Sequence, residues 1–239
     1  MKIGQKIIRL DVVDSTNNYI ANLIKLGSID SGTVIMADDQ YAGKGQRDAQ
    51  WLTGAGENLT FSFFLDDVNL SVEKQFILSQ IVALSLSQFL NNIGLDATIK
   101  WPNDIYIKEK KIAGVLIENQ LRGNLIKNAI VGIGLNVNQT EFNEFKATST
   151  KLETGQCKLP NDLLFSFINA FNVKIKELHT EKLHLEYLDK LYQYNTMATY
   201  KDAQGKFEGK IIDVLENGKL VMLKDEKEVF YDLKEIVFI

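Results

Sequence analysis

The feature that most constrains this chain is a series of short apolar runs between Thr98 and Asn138. Thr98-Ile-Lys-Trp101 with Ile105-Tyr-Ile107, then Ile112 to Asn119, then Ala129 to Asn138, all read as strands. Polar turns at Lys108 to Lys111 and Leu121 to Asn124 join the last three, and connections that short predict antiparallel neighbours. Two long helix candidates lie before and after these runs in the chain. Ser71 to Ile93 places Phe76, Ile77, Ile81, Leu84, Leu86 and Phe89 along one broad face and ends before Gly94. Leu163 to roughly Leu191, opened by Pro160-Asn-Asp, carries its own stripe at Leu164, Phe167, Ile168, Phe171 and Ile175.

Towards the N-terminus, Lys6 to Val13 reads as a strand running into Asp14-Ser15-Thr16-Asn17, a cluster suited to capping a helix that Gly27 stops. Thr33 to Ala37 is a further strand, and Leu59-Thr-Phe-Ser-Phe63 alternates as a half-buried strand does. Between them, Asp38 to Asn58 is long for a plain connection, and such loops in compact domains are usually functional. From about Thr196 the texture changes to short β-like runs: Phe207 to Val214, Leu220 to Leu223 and Val229 to Leu233. Asn217-Gly218 predicts a type I′ hairpin between the first two. The expected organisation is a larger domain over 1–192 and a small β-barrel over 193–239.

Composition excludes several classes. With 27 basic and 31 acidic residues the net charge is −4, which gives no global field for a polyanion. Cys157 is alone, and His179 and His184 are the two histidines, so neither a disulfide nor a Cys/His metal site is expected. No signal-like apolar run precedes Asp11, and Gln80, Gln88, Asn91 and Asn92 make the longest apolar stretch too polar for a bilayer. A cytoplasmic protein without membrane contact is expected.

Four motifs carry chemistry. Gln40-Tyr-Ala-Gly-Lys-Gly-Gln-Arg47 sets two glycines and two cations just after a strand, where N–H groups can form an anion-binding nest and Lys44 and Arg47 can add charge; an exposed turn is the plainer alternative. Lys100, between Ile99 and Trp101, sits in apolar company that an unpaired ammonium would not tolerate, so it meets either a ligand or a structural carboxylate. Lys111-Ile-Ala-Gly114 starts a strand with a cation. Gly132-Ile-Gly-Leu-Asn136 places two glycines on another strand, which suggests close approach of a ligand or backbone.

In this order, together with Trp51, these motifs resemble the biotin–protein ligase family, the short type without an N-terminal DNA-binding domain. The resemblance covers Val12 to Asn138. It implies an α+β fold: a mixed sheet flanked by helices, like that of class II aminoacyl-tRNA synthetases, followed by an SH3-like barrel. It also implies activation of biotin by ATP and Mg²⁺ to biotinyl-5′-adenylate, then transfer to one lysine of a carboxylase's biotin carboxyl carrier domain. By that resemblance Ser15, Thr16 and Asn17, helped by Gln40, hold the ureido ring, and Lys44, Gly45 and Gln46 lie against biotin. Lys100 meets the carboxyl and the developing anhydride, Arg47 and Lys111 face phosphate, Asn136 faces adenine, and Trp51 anchors the loop over the adenylate. One departure stands out: where the family commonly reads Gly-Arg-Gly-Arg-x-Gly-Arg, this chain reads Gly43-Lys-Gly-Gln-Arg-Asp-Ala49, with its cation displaced to Arg47.

About ten residues precede Val12, too few for a winged helix, so no nucleic-acid partner is expected. A homodimer through the sheet carrying Gly132 to Asn138 would follow if that strand lay at an edge. The rival readings are a lipoate–protein ligase, which has no ureido ring to hold, and a non-catalytic module that binds a biotin-like or nucleotide ligand.

Overall fold

The computed structural model describes residues 1–46, 50–51, 54–142 and 146–239. Its larger sheet contains β1 (Lys6–Val13), β2 (Thr33–Gln40), β3 (Leu59–Ser71), β4 (Ala97–Lys100), β5 (Asp104–Ile107), β6 (Lys110–Arg122) and β7 (Leu125–Leu135). The strand order is β1-β2-β3-β7-β6-β5-β4. β1 and β2 are parallel, joined by a crossover through α1 (Thr16–Lys25), and every other pairing is antiparallel. The expected meander is therefore present as β4 to β7.

β3 is longer than its alternating stretch suggests, and it is buried on both faces rather than half-buried. Leu59, Phe61, Phe63 and Leu65 face α2 (Phe76–Asn92) and α4 (Pro160–Lys174). Phe61 and Phe63 meet Phe167 and Phe171 at ring-centroid distances of 5.3 and 4.9 Å respectively, edge to face. Contacts of this kind contribute about 0.5–1.5 kcal/mol each beyond area burial. On the opposite face, Phe64, Ile20, Ile35 and Ile130 form a smaller cluster beneath α1.

The two long helix expectations are refined. Ser71 belongs to β3, and a single 3-10 turn (Val72–Lys74) precedes α2. α2 is enclosed nearly all round, so its polar residues need partners: the Ser87 hydroxyl donates to Ala97 O at 2.9 Å, and Ser85 to Ile81 O at 2.6 Å. The stretch Leu163 to Leu191 is two helices, α4 and α5 (Glu181–Lys190), with α3 (Thr150–Thr154) preceding them.

A second sheet holds β8 (Met197–Asp202), β9 (Gly205–Val214), β10 (Leu220–Lys224), β11 (Lys227–Tyr231) and β12 (Val237–Phe238), ordered β11-β10-β9-β8-β12 and antiparallel throughout. Its β9–β10 turn is not type I′. That turn needs positive φ at two central residues, and here Gly218 has it (φ 95°) while Asn217 does not. The sheet docks on the β4–β5 turn through Trp101 Nε1–H, which donates to Gly218 O at 2.9 Å, and on α5 through His184 Nε2 to Asp213 at 2.8 Å.

The strand carrying Gly132 is not where this sheet could pair with a second copy, since the sheet's edges are β1 and β4. β7, which carries Gly132, pairs with β3 on one side and β6 on the other, so it offers no free edge.

Candidate functional site

The N-terminus of α1, the end of β2, the loop after it, the β4–β5 turn, the start of β6 and the middle of β7 surround one cavity of about 280 Å³. The Asp14 to Asn17 cluster builds one end. Ser15 is the N-cap of α1 but makes no capping bond with its side chain, which leaves a buried hydroxyl in the cavity wall. Next to it, the Thr16 N–H donates to Gln40 Oε1 at 2.8 Å. Thr16 Oγ1 lies 2.6 Å from Ser62 Oγ, and Ser62 Oγ is 2.6 Å from Asn17 Oδ1. Asn17 Nδ2 completes the row, donating to Glu118 Oε2 at 2.6 Å. This end is therefore a chain of short polar contacts in a buried setting, where such bonds strengthen and unpaired groups are costly.

The glycines form the floor. A Cβ on Gly132 would lie 2.3 Å from Asn17 Oδ1, and one on Gly134 would lie 2.2 Å from Trp51 Cε2. Close approach was expected at this pair, and it is realised by two side chains of the protein itself. Trp51 also packs over Gly114, and its indole N–H is buried without a partner among the described residues. Gly43 O accepts from Trp51 N at 3.0 Å, and Lys44 bridges to Gln50, so this part of the loop closes on itself.

Lys111 lies at the other end. Its ammonium is 2.7 Å from Asp104 Oδ1 and 5.5 Å from the centre of the Trp51 ring. Backbone bonds hold its position: Lys111 N donates to Lys146 O at 2.9 Å, and Lys111 O accepts from Thr148 N at 2.9 Å.

Most expected site residues meet here: Ser15, Thr16, Asn17, Gln40, Lys44, Gly45, Gln46, Trp51 and Lys111 all line the cavity. Two do not. Lys100 is on the edge strand β4, and its ammonium turns away to the Tyr106 hydroxyl (3.0 Å) and over the rings of Tyr106 and Phe238. Burial against these rings lowers its pKa from the usual lysine value, and Asp104 opposes that shift. Its apolar company was legible; the aromatic partner from the second sheet was not. Asn136 is also spent elsewhere. Its Nδ2 donates to Thr148 O at 3.0 Å, fixing the buried 148–150 segment that runs beside Lys111. Arg47 lies outside the described residues.

Three further residues complete the site. Ser62 is fully buried at the centre of β3, Glu118 lies on β6, and Asp104 is the one carboxylate among the described residues lining the cavity. A serine between the phenylalanines of a buried strand was the available signal for Ser62. Glu118 shares its strand face with Gly114, four residues earlier.

The arrangement defines a class: a binding site with a neutral polar pocket at one end, a cation at the other and a glycine floor between them. The chain belongs to the biotin/lipoate A/B protein ligase family, whose sequence pattern matches residues 10–136. It is 31% identical over 168 residues to the biotin–[acetyl-CoA-carboxylase] ligase of Paracoccus denitrificans, covering 66% of this chain and 68% of that one. It is 32% identical over 135 residues to the bifunctional ligase/repressor BirA of Escherichia coli, a match spanning 56% of this chain and 41% of that protein. The structure resembles the biotin protein ligase of Aquifex aeolicus in complex with biotin and ATP, with a TM-score of 0.80, 29% identity and 98% coverage of both chains.

Proposed function

We propose that this protein activates biotin with ATP to biotinyl-5′-adenylate and transfers the biotinyl group to a lysine of a biotin carboxyl carrier domain. The observation that carries the reading is the polarity of the cavity: neutral hydrogen-bonding groups at Thr16, Asn17 and Gln40, and the Lys111 cation opposite them. A neutral cyclic urea suits the first end and an anionic carboxylate the second.

In the first step a carboxylate oxygen of biotin attacks the α-phosphorus of ATP. The new O–P bond forms as the bond to the β-phosphate oxygen breaks, and pyrophosphate leaves. The reactants are both anions, so a fixed cation between them supplies most of the help. Lys111 takes this role in place of Lys100, because Lys111 faces the cavity and Lys100 does not. Lys44 is the second described cation in the wall. In the second step the carrier's lysine amine attacks the acyl carbon, the bond from that carbon to the phosphate oxygen breaks, and AMP leaves as the amine loses a proton.

Mg²⁺ enters as part of the nucleotide. Among the described residues no group of three or more His, Cys, Asp or Glu side chains could hold an ion, and Asp104 is engaged by Lys111. That suits a cation carried chiefly by substrate phosphates, which is how Mg²⁺ is usually bound. Residues 1–192 would form a catalytic domain related to class II aminoacyl-tRNA synthetases, and 193–239 an SH3-like barrel.

Pyrophosphate release tests the proposal. Biotin with ATP should give release, and lipoate with ATP should give none. Release with lipoate alone would overturn it in favour of a lipoate ligase, and release with neither acid would leave a binding module.

A further inference from the structure

Counting protons along the polar end of the cavity gives a residue that the proposed activity does not by itself assign. Three oxygen–oxygen contacts run in series: Gln40 Oε1 to Thr16 Oγ1 at 3.1 Å, Thr16 Oγ1 to Ser62 Oγ at 2.6 Å, and Ser62 Oγ to Asn17 Oδ1 at 2.6 Å. Each contact needs one hydrogen between its oxygens. The row owns two, one on Thr16 and one on Ser62, because the Gln40 and Asn17 oxygens are carbonyls. The two short contacts must hold them, since oxygens 2.6 Å apart with no hydrogen between them repel strongly. Ser62 therefore donates to Asn17, Thr16 donates to Ser62, and the 3.1 Å contact is left without a hydrogen. Its two oxygens are facing acceptors on residues that both line the cavity, and Gln40 Oε1 takes its one hydrogen from the Thr16 backbone N–H at 2.8 Å, outside the row.

This deficit has one cause. If the Asn17 amide were reversed, its NH₂ would donate to Ser62, Ser62 to Thr16 and Thr16 to Gln40, and the row would be complete without a ligand. Glu118 prevents the reversal. An ionised carboxylate can only accept, so it claims the Asn17 NH₂ at 2.6 Å and turns the amide oxygen towards Ser62. Gly132 leaves room for that oxygen, which a Cβ there would meet at 2.3 Å.

We infer that Glu118 is a positioning residue for substrate recognition: by fixing Asn17 it keeps the pocket one hydrogen-bond donor short, so that the pocket selects a ligand bearing a ring N–H. The inference rests on the biotin reading for its ligand, since a cyclic urea supplies that N–H to Thr16 Oγ1 and Gln40 Oε1 together. Glu118 acts through Asn17 and Ser62 and has no place on the cavity wall among the described residues.

The test compares biotin with two isosteres, each having one ring N–H replaced by oxygen, by equilibrium binding to the full chain. The wild-type protein should reject one isostere by at least about 100-fold relative to biotin, as sites built around a substrate N–H do. Glu118→Gln can present either an acceptor or a donor to Asn17, and Glu118→Leu presents neither. In both variants the row can reverse, and the rejection should shrink by about tenfold or more. A merely structural role for Glu118 would weaken biotin and both isosteres together and leave the ratio unchanged. That unchanged ratio in either folded variant overturns the inference, as does a wild-type protein that binds biotin and both isosteres equally. A wild-type protein that binds no biotin instead refutes the functional reading.

Discussion

Replacing Gly134 with alanine tests how Trp51 is seated, and its effect can be worked from distances. The new Cβ would lie 2.2 Å from Trp51 Cε2 and 2.4 Å from Nε1. Carbon atoms in contact settle at about 3.5–4.0 Å, so the ring must withdraw by about 1.5 Å or leave. A gap of that size forfeits most of the dispersion contact on that side. Complete truncation of a buried tryptophan costs about 3–5 kcal/mol, and losing one face of a half-buried ring costs about 1–2 kcal/mol of docking energy. The backbone works in the opposite direction. Gly134 lies inside β7 without positive φ, where alanine is favoured by about 0.5–1 kcal/mol. Global stability should therefore change little while the docked population of the ring falls about tenfold. The chain has two tryptophans, and Trp101 is buried with its N–H bonded to Gly218 O, so a change in emission reports Trp51. Gly134→Ala should red-shift the emission and raise quenching by a neutral quencher, with the melting temperature nearly unchanged. Wild-type emission and quenching in the variant would refute the seating of Trp51 on Gly134.

Three other outcomes are expected. Lys111→Ala should slow biotin-dependent pyrophosphate release by about 10²–10³, as loss of one preorganised charge contact does, and Lys100→Ala should cost less than a tenth of that; equal losses would return the catalytic role to Lys100. Gly132→Ala, whose methyl group meets Asn17 Oδ1, should weaken biotin binding in calorimetry by about tenfold or more with the fold retained, and unaltered affinity would show that the Asn17 position does not matter. Burial raises the pKa of Tyr200 to about 12 and raises those of Tyr187 and Tyr231, so all three favour the neutral form in the folded state. Their contribution to stability is whole below the unfolded tyrosine pKa of about 10 and is lost as pH rises from there through the folded values, so melting temperature should fall between about pH 10 and 12. Phenolate absorbance appearing in full near pH 10 with the fold intact would contradict this.

The two sheets differ in how openly the sequence announces them. Apolar runs separated by a few polar residues leave β4 to β7 little choice but a meander, because each short turn forces an antiparallel neighbour. The place of that meander within the sheet is a long-range matter. Gly132 looked available for edge pairing until β3, some 70 residues earlier in the chain, took its other side. β8 and β12 were missed because Met197–Asp202 and Val237–Phe238 are short and weakly patterned; β8 becomes a strand by pairing with β9 and β12, and β12 by pairing with β8.

The same division explains why one lysine reaches the cavity and another does not. Lys100 and Lys111 are both cations beside apolar strand residues, and local pattern treats them alike. Register separates them. Lys111 opens β6 next to Gly114, where the glycine floor leaves space in front of its ammonium, and Asp104 draws it inward. Lys100 lies two strands further out, on the edge strand β4, where Phe238 from the far end of the chain closes over it. A site of this kind is legible in sequence as a set of residue types, since glycines, amides and cations are needed in number. Which cation faces the substrate is decided by what covers the others. Neither Lys100, turned from the cavity, nor Glu118 shows an irregularity in sequence: Lys100 is set by an aromatic ring arriving from another sheet, and Glu118 by the single hydrogen its carboxylate withholds from the row beside it.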